Sequence, residues 1–359
     1  MCGIVGYVGD RDCADVLVDA LSKLEYRGYD SAGIAVVEKG VIKVEKCKGR
    51  LANLVDKMAV DGKPQGHCGI GHTRWATHGE PSDINSHPHG NKRVSIVHNG
   101  IIENYKQIKD FLIEEGYSFV SETDTETVAK LLDYYYVDDP VDTIIKVLAE
   151  IKGSYALGIM FRDYPDTVFA VRKESPLIVG VGENENFLAS DVPAIIKYTR
   201  DYYLLEANEI AVVKKDSVQI YDMHKEPVHK EINTADWDVD AAEKGGYEHF
   251  MLKEIHEQPA AVRDTVSPRI INGMPDLSQD GVDMQKLKDY RQIFIVACGT
   301  AMHAGMVGKY VIEKLARKPV IVDIASEFRY RDPIITKDDL MIVISQSGET
   351  ADTMAVLRL

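Results

Sequence analysis

The chain has no run of roughly 18 consecutive apolar residues, so no transmembrane helix is expected. Its start has no basic segment ahead of an apolar core, so no secretory leader is expected. Cysteine is scarce. Cys2, Cys13, Cys47, Cys68 and Cys298 are odd in number, far apart and without a Cys-x-x-Cys pair, which suggests reduced thiols in a cytoplasmic protein rather than a disulfide framework. Positive charge is also short: 42 Lys and Arg against 57 Asp and Glu leave a net charge of −15, which argues against a nucleic-acid surface and against anionic membranes. There is no His-Glu-x-x-His, and although six of the eleven histidines fall between positions 67 and 98, they lie on separate elements, with His87 and His89 flanking a proline. No metal site is expected from that spacing. Neither a GxGxxG nor a Walker A loop is present, so dinucleotide and ATP binding find no support, and no cofactor is expected.

What remains is an ordinary globular composition, 45% hydrophobic and 28% charged over 359 residues, enough for two domains with separate cores. The most informative stretch is the first, Met1-Cys2-Gly3-Ile4-Val5-Gly6. Removal of Met1 would put a thiol and a free α-amine on one residue, and an amine of pKa about 7.7–8.0 can take the thiol proton directly or through water. That is a nucleophile with its own base. Gly3 is expected to let a substrate approach the backbone, and Ile4-Val5 to open a buried strand.

Apolar spacing predicts a helix over 14–25 and strands over 34–37 and 42–46, joined by a turn at Lys39-Gly40. Between the helix and the first of these strands, Arg27 and Asp30 read either as a local ion pair or as groups placed near the thiol. Gly71 to Pro81 begins as a strand and ends as a loop, in which Arg74, Trp75, Thr77 and His78 would suit a small carboxylate ligand or simply cover the surface. Asn99-Gly100 interrupts an apolar strand and reads first as a hairpin turn, with the alternative that both residues donate to a developing oxyanion. A helix from Tyr105 to Glu115 should close at Gly116, and Asp124 or Thr125 should cap the next, 127–136, unless Asp124 binds an ammonium. From 141 to 221 a helix is followed by seven short strands with turns every 8–12 residues, the rhythm of antiparallel sheets.

Residues 233–248 are polar and read as a linker; a helical region interrupted at Gln258-Pro259 follows. The expected domains are 2–235, a linker at 236–250, and 251–359. In the last, wholly apolar strands at 293–297, 320–324 and 340–344 alternate with helices, the pattern of a parallel sheet covered on both faces. Ligands bind such sheets at the carboxyl ends of strands, where Thr300 and the loop Ser345-Gln346-Ser347-Gly348-Glu349-Thr350 present hydroxyls and N–H groups suited to a phosphate, or merely cap helices. The chain stops in mid-helix after three parallel strands, so this domain reads as truncated.

These stretches, together with Glu25-Tyr26-Arg27-Gly28-Tyr29-Asp30-Ser31-Ala32-Gly33, Lys253-Glu254-Ile255, Glu257-Gln258-Pro259 and Ala325-Ser326-Glu327-Phe328-Arg329-Tyr330-Arg331, closely resemble the isomerising glutamine–fructose-6-phosphate aminotransferase (glucosamine-6-phosphate synthase) family, in the family's order. The resemblance implies an α+β N-terminal-nucleophile hydrolase, a four-layer αββα sandwich, followed by the beginning of an α/β/α sugar-isomerase (SIS) domain. It implies that Cys2 forms a glutamyl thioester with its α-amine as base, and that Asn99 and Gly100 form the oxyanion hole. Arg74 would hold the glutamine carboxylate with Thr77 and His78 beside it, Asp124 would hold the ammonium, and Trp75 would gate an ammonia channel. Thr300, Ser345, Gln346, Ser347 and Thr350 match the sugar-phosphate pocket. Glutamine and fructose 6-phosphate are the implied substrates, and a homodimer the implied full-length form. Ala301 stands where the family has serine, and the isomerase acid and base of the family lie beyond position 359. Glutamine hydrolysis is therefore expected of this chain, and glucosamine 6-phosphate synthesis by it alone is not. Amidotransferases with other acceptors, and a non-enzymatic sugar-phosphate-binding subunit, are the alternatives.

Overall fold

A computed structural model describes the chain except for Met1, Thr77, residues 236–245, Ser347 and Glu349. It divides into two compact units, Met1–Gly246 and Tyr247–Leu359.

In the first unit the strands are β1 (Gly3–Gly9), β2 (Ser31–Glu38), β3 (Val41–Lys48), β4 (Cys68–Arg74), β5 (His89–Gly90), β6 (Val94–Ile102), β7 (Gly153–Phe161), β8 (Thr167–Lys173), β9 (Ile178–Val181), β10 (Glu185–Ala189), β11 (Asp201–Leu204), β12 (Ile210–Lys214), β13 (Val218–Tyr221) and β14 (Asn233–Thr234). The helices are α1 (Cys13–Ser22), α2 (Leu51–Asp61), α3 (Tyr105–Glu114), α4 (Asp124–Tyr135) and α5 (Pro140–Glu150). The strands form two antiparallel sheets, eight in the order β14-β11-β9-β10-β1-β4-β2-β3 and six in the order β13-β12-β8-β7-β6-β5.

Side chains that alternate along each strand build three cores. Ile4 and Val8 of β1 face Val97, Ala156, Met160 and Ala170 of the other sheet, whereas Val5 and Tyr7 turn outward onto α1. Tyr155, Leu157, Ile159 and Phe161 of β7 turn away from the sheet interface onto α3, α4 and α5. The result is helix, sheet, sheet, helix: the four-layer sandwich expected from the resemblance. Each fully buried Leu, Ile or Phe contributes about 1.5–3 kcal/mol, so the three cores dominate the stability of this unit.

Local signals hold in most places. The β2–β3 turn falls at Lys39 and Gly40, and the seven short strands expected before 221 recur as β7 to β13. Gly116 ends α3, with its N–H on the Ile113 carbonyl. Three readings are corrected. Asn99-Gly100 is no hairpin: β6 runs straight through it, with Asn99 opposite Ala156 and Gly100 opposite Tyr155. Thr123, not Asp124 or Thr125, caps α4, because its hydroxyl accepts from the Glu126 N–H. Arg27 pairs with Asp191, 164 residues away, at 2.5 Å, and not with Asp30.

The second unit holds α6 (Phe250–Val266), a small hairpin of β15 (Ile270–Ile271) and β16 (Met274–Pro275), then β17 (Gln292–Ala297), α7 (Gly299–Leu315), β18 (Val320–Ile324), α8 (Ala325–Phe328), β19 (Asp339–Ile344) and α9 (Ala351–Leu357). The parallel sheet has the order β18-β17-β19. One face buries Phe294, Val296, Phe328 and Val356, the other Ile293, Ile295 and Ile312, so helices cover both sides as the apolar runs predict. Helix α6 continues through Pro259, contrary to the expected break. The carbonyl that proline leaves unbonded lies on an exposed stretch, where water can satisfy it.

Candidate active site

Cys2 sits immediately before β1, half-buried, where β1 meets β4. A Cβ on Gly3 would lie 2.6 Å from Thr73 Oγ1 and 2.7 Å from Leu24 Cβ, so the space freed by this glycine is filled by the protein, not by a substrate as expected. Cys2 Sγ accepts from the Trp75 N–H at 3.1 Å and lies 3.5 Å from the Trp75 carbonyl. Burial pushes the thiol above its ordinary range, and the Trp75 N–H works in the opposite direction.

Asn99 arrives from the second sheet. Its Nδ2 donates to the Cys2 carbonyl at 2.9 Å, which joins β6 directly to the residue carrying the thiol. Gly100 has φ +129, and a Cβ there would lie 2.1 Å from the Ser154 carbonyl oxygen. Only glycine fits a strand this close to its neighbour in that conformation. The Asn-Gly pair is thus built into a continuous strand that is bonded to the backbone of the residue carrying the thiol.

Arg74 ends β4 and is buried. Its Nη2 donates to the His78 and Gly79 carbonyls, and its buried Nη1 has no hydrogen-bond partner among the described residues. Burial lowers its pKa, while Asp30, Cys2 and Asp124 raise it, which places these groups in one electrostatic neighbourhood. Asp124 opens α4, buried, with Oδ2 accepting the Ile102 N–H at 2.8 Å. It therefore ties the end of β6 to the helix and does not cap the helix. Trp75 is 48% exposed, its indole edge-on to Tyr29 at 5.5 Å between centroids. The His78 ring meets Tyr105 edge-on. Thr77 lies outside the described residues.

The sequence reading passed over one contributor, Gly28, and left the role of another, Asp30, open. A Cβ on Gly28 would come within 2.9 Å of Arg74 C and O and of Trp75 N, so this glycine lets its loop seat the Trp75 N–H against the thiol. Asp30 accepts the Ala76 N–H and fixes the next residue of the same turn. No local periodicity signals either, because both act on residues more than 40 positions away.

The histidines of the 67–98 region form a packed group. His72 stacks on His87 at 4.1 Å and 16°, and His87 meets His89 at 4.9 Å. Burial lowers the pKa of His72 to about 3, and those of His87, His89 and His98 in the same direction. Among the described residues no group of three or more His, Cys, Asp or Glu is arranged to hold a metal ion.

In the second unit, β17 and β19 are neighbours with Ala297 opposite Ile344, so the loops that follow them lie side by side. Thr300 is in the first turn of α7 and is exposed. Ser345 Oγ accepts the Gly348 N–H at 2.9 Å, Gln346 is exposed, and Thr350 precedes α9. Ser347 lies outside the described residues.

A family model described as "Glutamine amidotransferase domain" matches residues 72–197, and one described as "SIS domain" matches 286–359. Proteins named glutamine–fructose-6-phosphate aminotransferase [isomerizing] are similar over all of this chain: 59% identical in Clostridium acetobutylicum, 59% in Caldanaerobacter subterraneus and 50% in Aquifex aeolicus. The chain spans 59–60% of the length of these relatives. Among solved structures, glutamine phosphoribosylpyrophosphate amidotransferase from B. subtilis superposes with a TM-score of 0.57 at 18% identity, covering 96% of this chain and 69% of that one. A structure titled as the allosteric regulatory enzyme of purine biosynthesis superposes with a TM-score of 0.58 at the same identity and coverage. Both show a shared fold. With a glutamine amidotransferase domain followed by an SIS domain, and relatives of one name at 50–59% identity along its whole length, the chain belongs to the family of isomerising glutamine–fructose-6-phosphate aminotransferases.

Proposed function

We propose that this chain is the glutaminase half, with the first part of the sugar-phosphate half, of an enzyme that makes glucosamine 6-phosphate from fructose 6-phosphate and glutamine. The observation that carries the reading is the meeting at one point of Cys2 Sγ on the Trp75 N–H at 3.1 Å and Asn99 Nδ2 on the Cys2 carbonyl at 2.9 Å. Removal of Met1 turns the Cys2 amide nitrogen into an amine. A buried thiol of raised pKa needs such a base, because the thiolate is the nucleophile.

The amine takes the thiol proton, and sulfur adds to the side-chain carboxamide carbon of glutamine. Asn99 and Gly100 stabilise the oxyanion; one donor of this kind is worth about 10²–10³ in rate. The ammonium form of the Cys2 amine returns the proton to the leaving nitrogen, ammonia departs, and a thioester remains. Water, deprotonated by the same amine, then releases glutamate and restores the thiol. Arg74 Nη1, buried and without a partner among the described residues, is the group for the substrate α-carboxylate, and Asp124 for its α-ammonium. Thr77 and His78 complete that loop, and Trp75 is the gate for released ammonia. Thr300, Ser345, Gln346, Ser347 and Thr350 would hold the sugar phosphate.

The proposed domains are 2–235 and 251–359 with a linker at 236–250. A cytoplasmic location agrees with five free cysteines, and no helix among the described residues is long and apolar enough to cross a membrane. A homodimer through the SIS half of the full-length form is also part of the proposal. The deciding experiment is glutamate release from glutamine by this chain and by Cys2→Ala, with intact mass reporting Met1. Turnover in the processed chain and none in the variant supports the reading. No turnover with Cys2 freed removes the glutaminase from it and leaves a sugar-phosphate-binding subunit.

A further inference from the structure

His72 lies between the two sheets, 1% exposed, and is absent from the reaction just described. Its Nε2 is 3.1 Å from the His98 carbonyl oxygen and 3.0 Å from Asn99 Oδ1. A backbone carbonyl can only accept, so Nε2 carries the hydrogen. Nδ1 is buried without a partner among the described residues, so the second proton of an imidazolium would have no acceptor there. The ring also lies flat against His87 at 4.1 Å. His72 is therefore the neutral Nε2–H tautomer, consistent with the effect of burial on its pKa.

The hydrogen bookkeeping then passes to Asn99. An Nε2–H facing the Asn99 amide demands its oxygen, which leaves the NH₂ end to turn toward Cys2. At the far end the Cys2 carbonyl, also an obligate acceptor, takes one hydrogen of Nδ2 at 2.9 Å. A reversed amide would set Nδ2 against the Nε2–H and Oδ1 against the Cys2 carbonyl, two repulsive contacts between buried side chains and the backbone. We propose that His72 is a positioning residue for the reaction: its Nε2–H fixes which end of the Asn99 amide faces Cys2, so that the second Nδ2 hydrogen is held ready for the oxyanion. This rests on the reading of Asn99 as an oxyanion donor.

The test uses the processed chain, with Met1 removal checked by intact mass, and four variants: His72→Leu, His72→Gln, Asn99→Ala and the double variant H72L/N99A. Asn99→Ala should lower kcat about 10²–10³-fold. His72→Leu should lower kcat about 10–10²-fold, less than loss of the donor itself, because the amide still samples the correct orientation. Its KM for glutamine and the rate of Cys2 alkylation by iodoacetamide should stay within about twofold of the parent, since neither depends on the oxyanion. Gln places an N–H near the position of Nε2 and should recover most of the lost kcat. The double variant should be no slower than Asn99→Ala, because residues acting through one another are not additive. If the leucine variant does not fold, His72→Phe, which keeps a ring against His87 and has no N–H, takes its place. An undiminished kcat in the donor-less variant, failure of Gln to restore it, or additive losses in the double variant overturns the role of His72 alone. An undiminished kcat in Asn99→Ala, or no turnover in the parent, overturns the oxyanion reading and the role of His72 with it.

Discussion

The two units present their candidate sites in opposite ways. In the first, the candidate groups are mostly buried or half-buried and already hydrogen-bonded within the protein: thiol to the Trp75 N–H, Asn99 across the two sheets to the Cys2 carbonyl and to His72, Asp124 to the Ile102 N–H. In the second, Thr300, Gln346 and Thr350 are exposed at the ends of parallel strands, and the described Ser345 bond is internal to its own loop. Rate acceleration requires donors fixed where charge develops, and fixed donors have to be desolvated and satisfied in advance. A phosphate site needs only hydroxyls and N–H groups at a strand terminus, and the ligand itself satisfies them on arrival.

The contrast breaks most completely at the proposed nucleophile, Cys2. Cys2→Ala should reduce glutamate release by about 10⁴-fold or more, with the fold intact by circular dichroism. Gly100→Ala should come next, because its Cβ would lie 2.1 Å from the Ser154 oxygen at φ +129. The backbone conformation alone costs on the order of 1–3 kcal/mol and the clash adds to it, so both thermal stability and kcat should fall. Asp124→Asn should raise KM for glutamine by roughly 10–100-fold, the equivalent of losing one charge-assisted bond to an ammonium, and change kcat little.

Acid should separate the units. His72, His87, His89 and His98 are buried in the first with pKa values held below the unfolded value near 6.5, His72 at about 3. Below that value the unfolded chain binds protons that the native unit refuses, so stability is full above pH about 6.5 and falls as pH drops toward the native pKa values. The histidines of the second unit, His249, His256 and His303, are exposed. Calorimetry between pH 7 and 4 should show the transition of the first unit moving down further than that of the second; equal shifts would mean that the histidine cluster is not held neutral. The smallest effect belongs to Ser345→Ala, which removes one exposed loop bond worth about 0.5–1.5 kcal/mol and should leave glutamate release unchanged.

Strand and helix positions were legible because they depend on neighbours in sequence: alternation in β7 and β8, wholly apolar runs in β17 and β19, turn residues between. The motif residues were legible by resemblance; in the structure Arg74, Asn99 and Asp124 are buried, Cys2 is half-buried and Gly100 is exposed. The failures share one cause. Asn99-Gly100 has the composition of a hairpin turn, yet pairing with β7 on one side and the bond to Cys2 on the other hold it extended. Arg27 has a nearby acid in sequence but a better-placed one at Asp191. Thr123 takes the cap because α4 starts at Asp124, three residues before the expected start.

The sequence by itself determined the two chain grammars, antiparallel then parallel, because burial on one or two faces writes its period directly into residue order. It also supplied Cys2, the proposed nucleophile, and the small residues around it. Only the tertiary structure decided which partners those residues have: that the space beside Gly3 belongs to Thr73, that Trp75 points its N–H at the thiol, and that a histidine 27 positions from Asn99 sets its amide. Hydrogen bonds are directional and short, so their partners are chosen by packing in three dimensions and leave no period in the sequence.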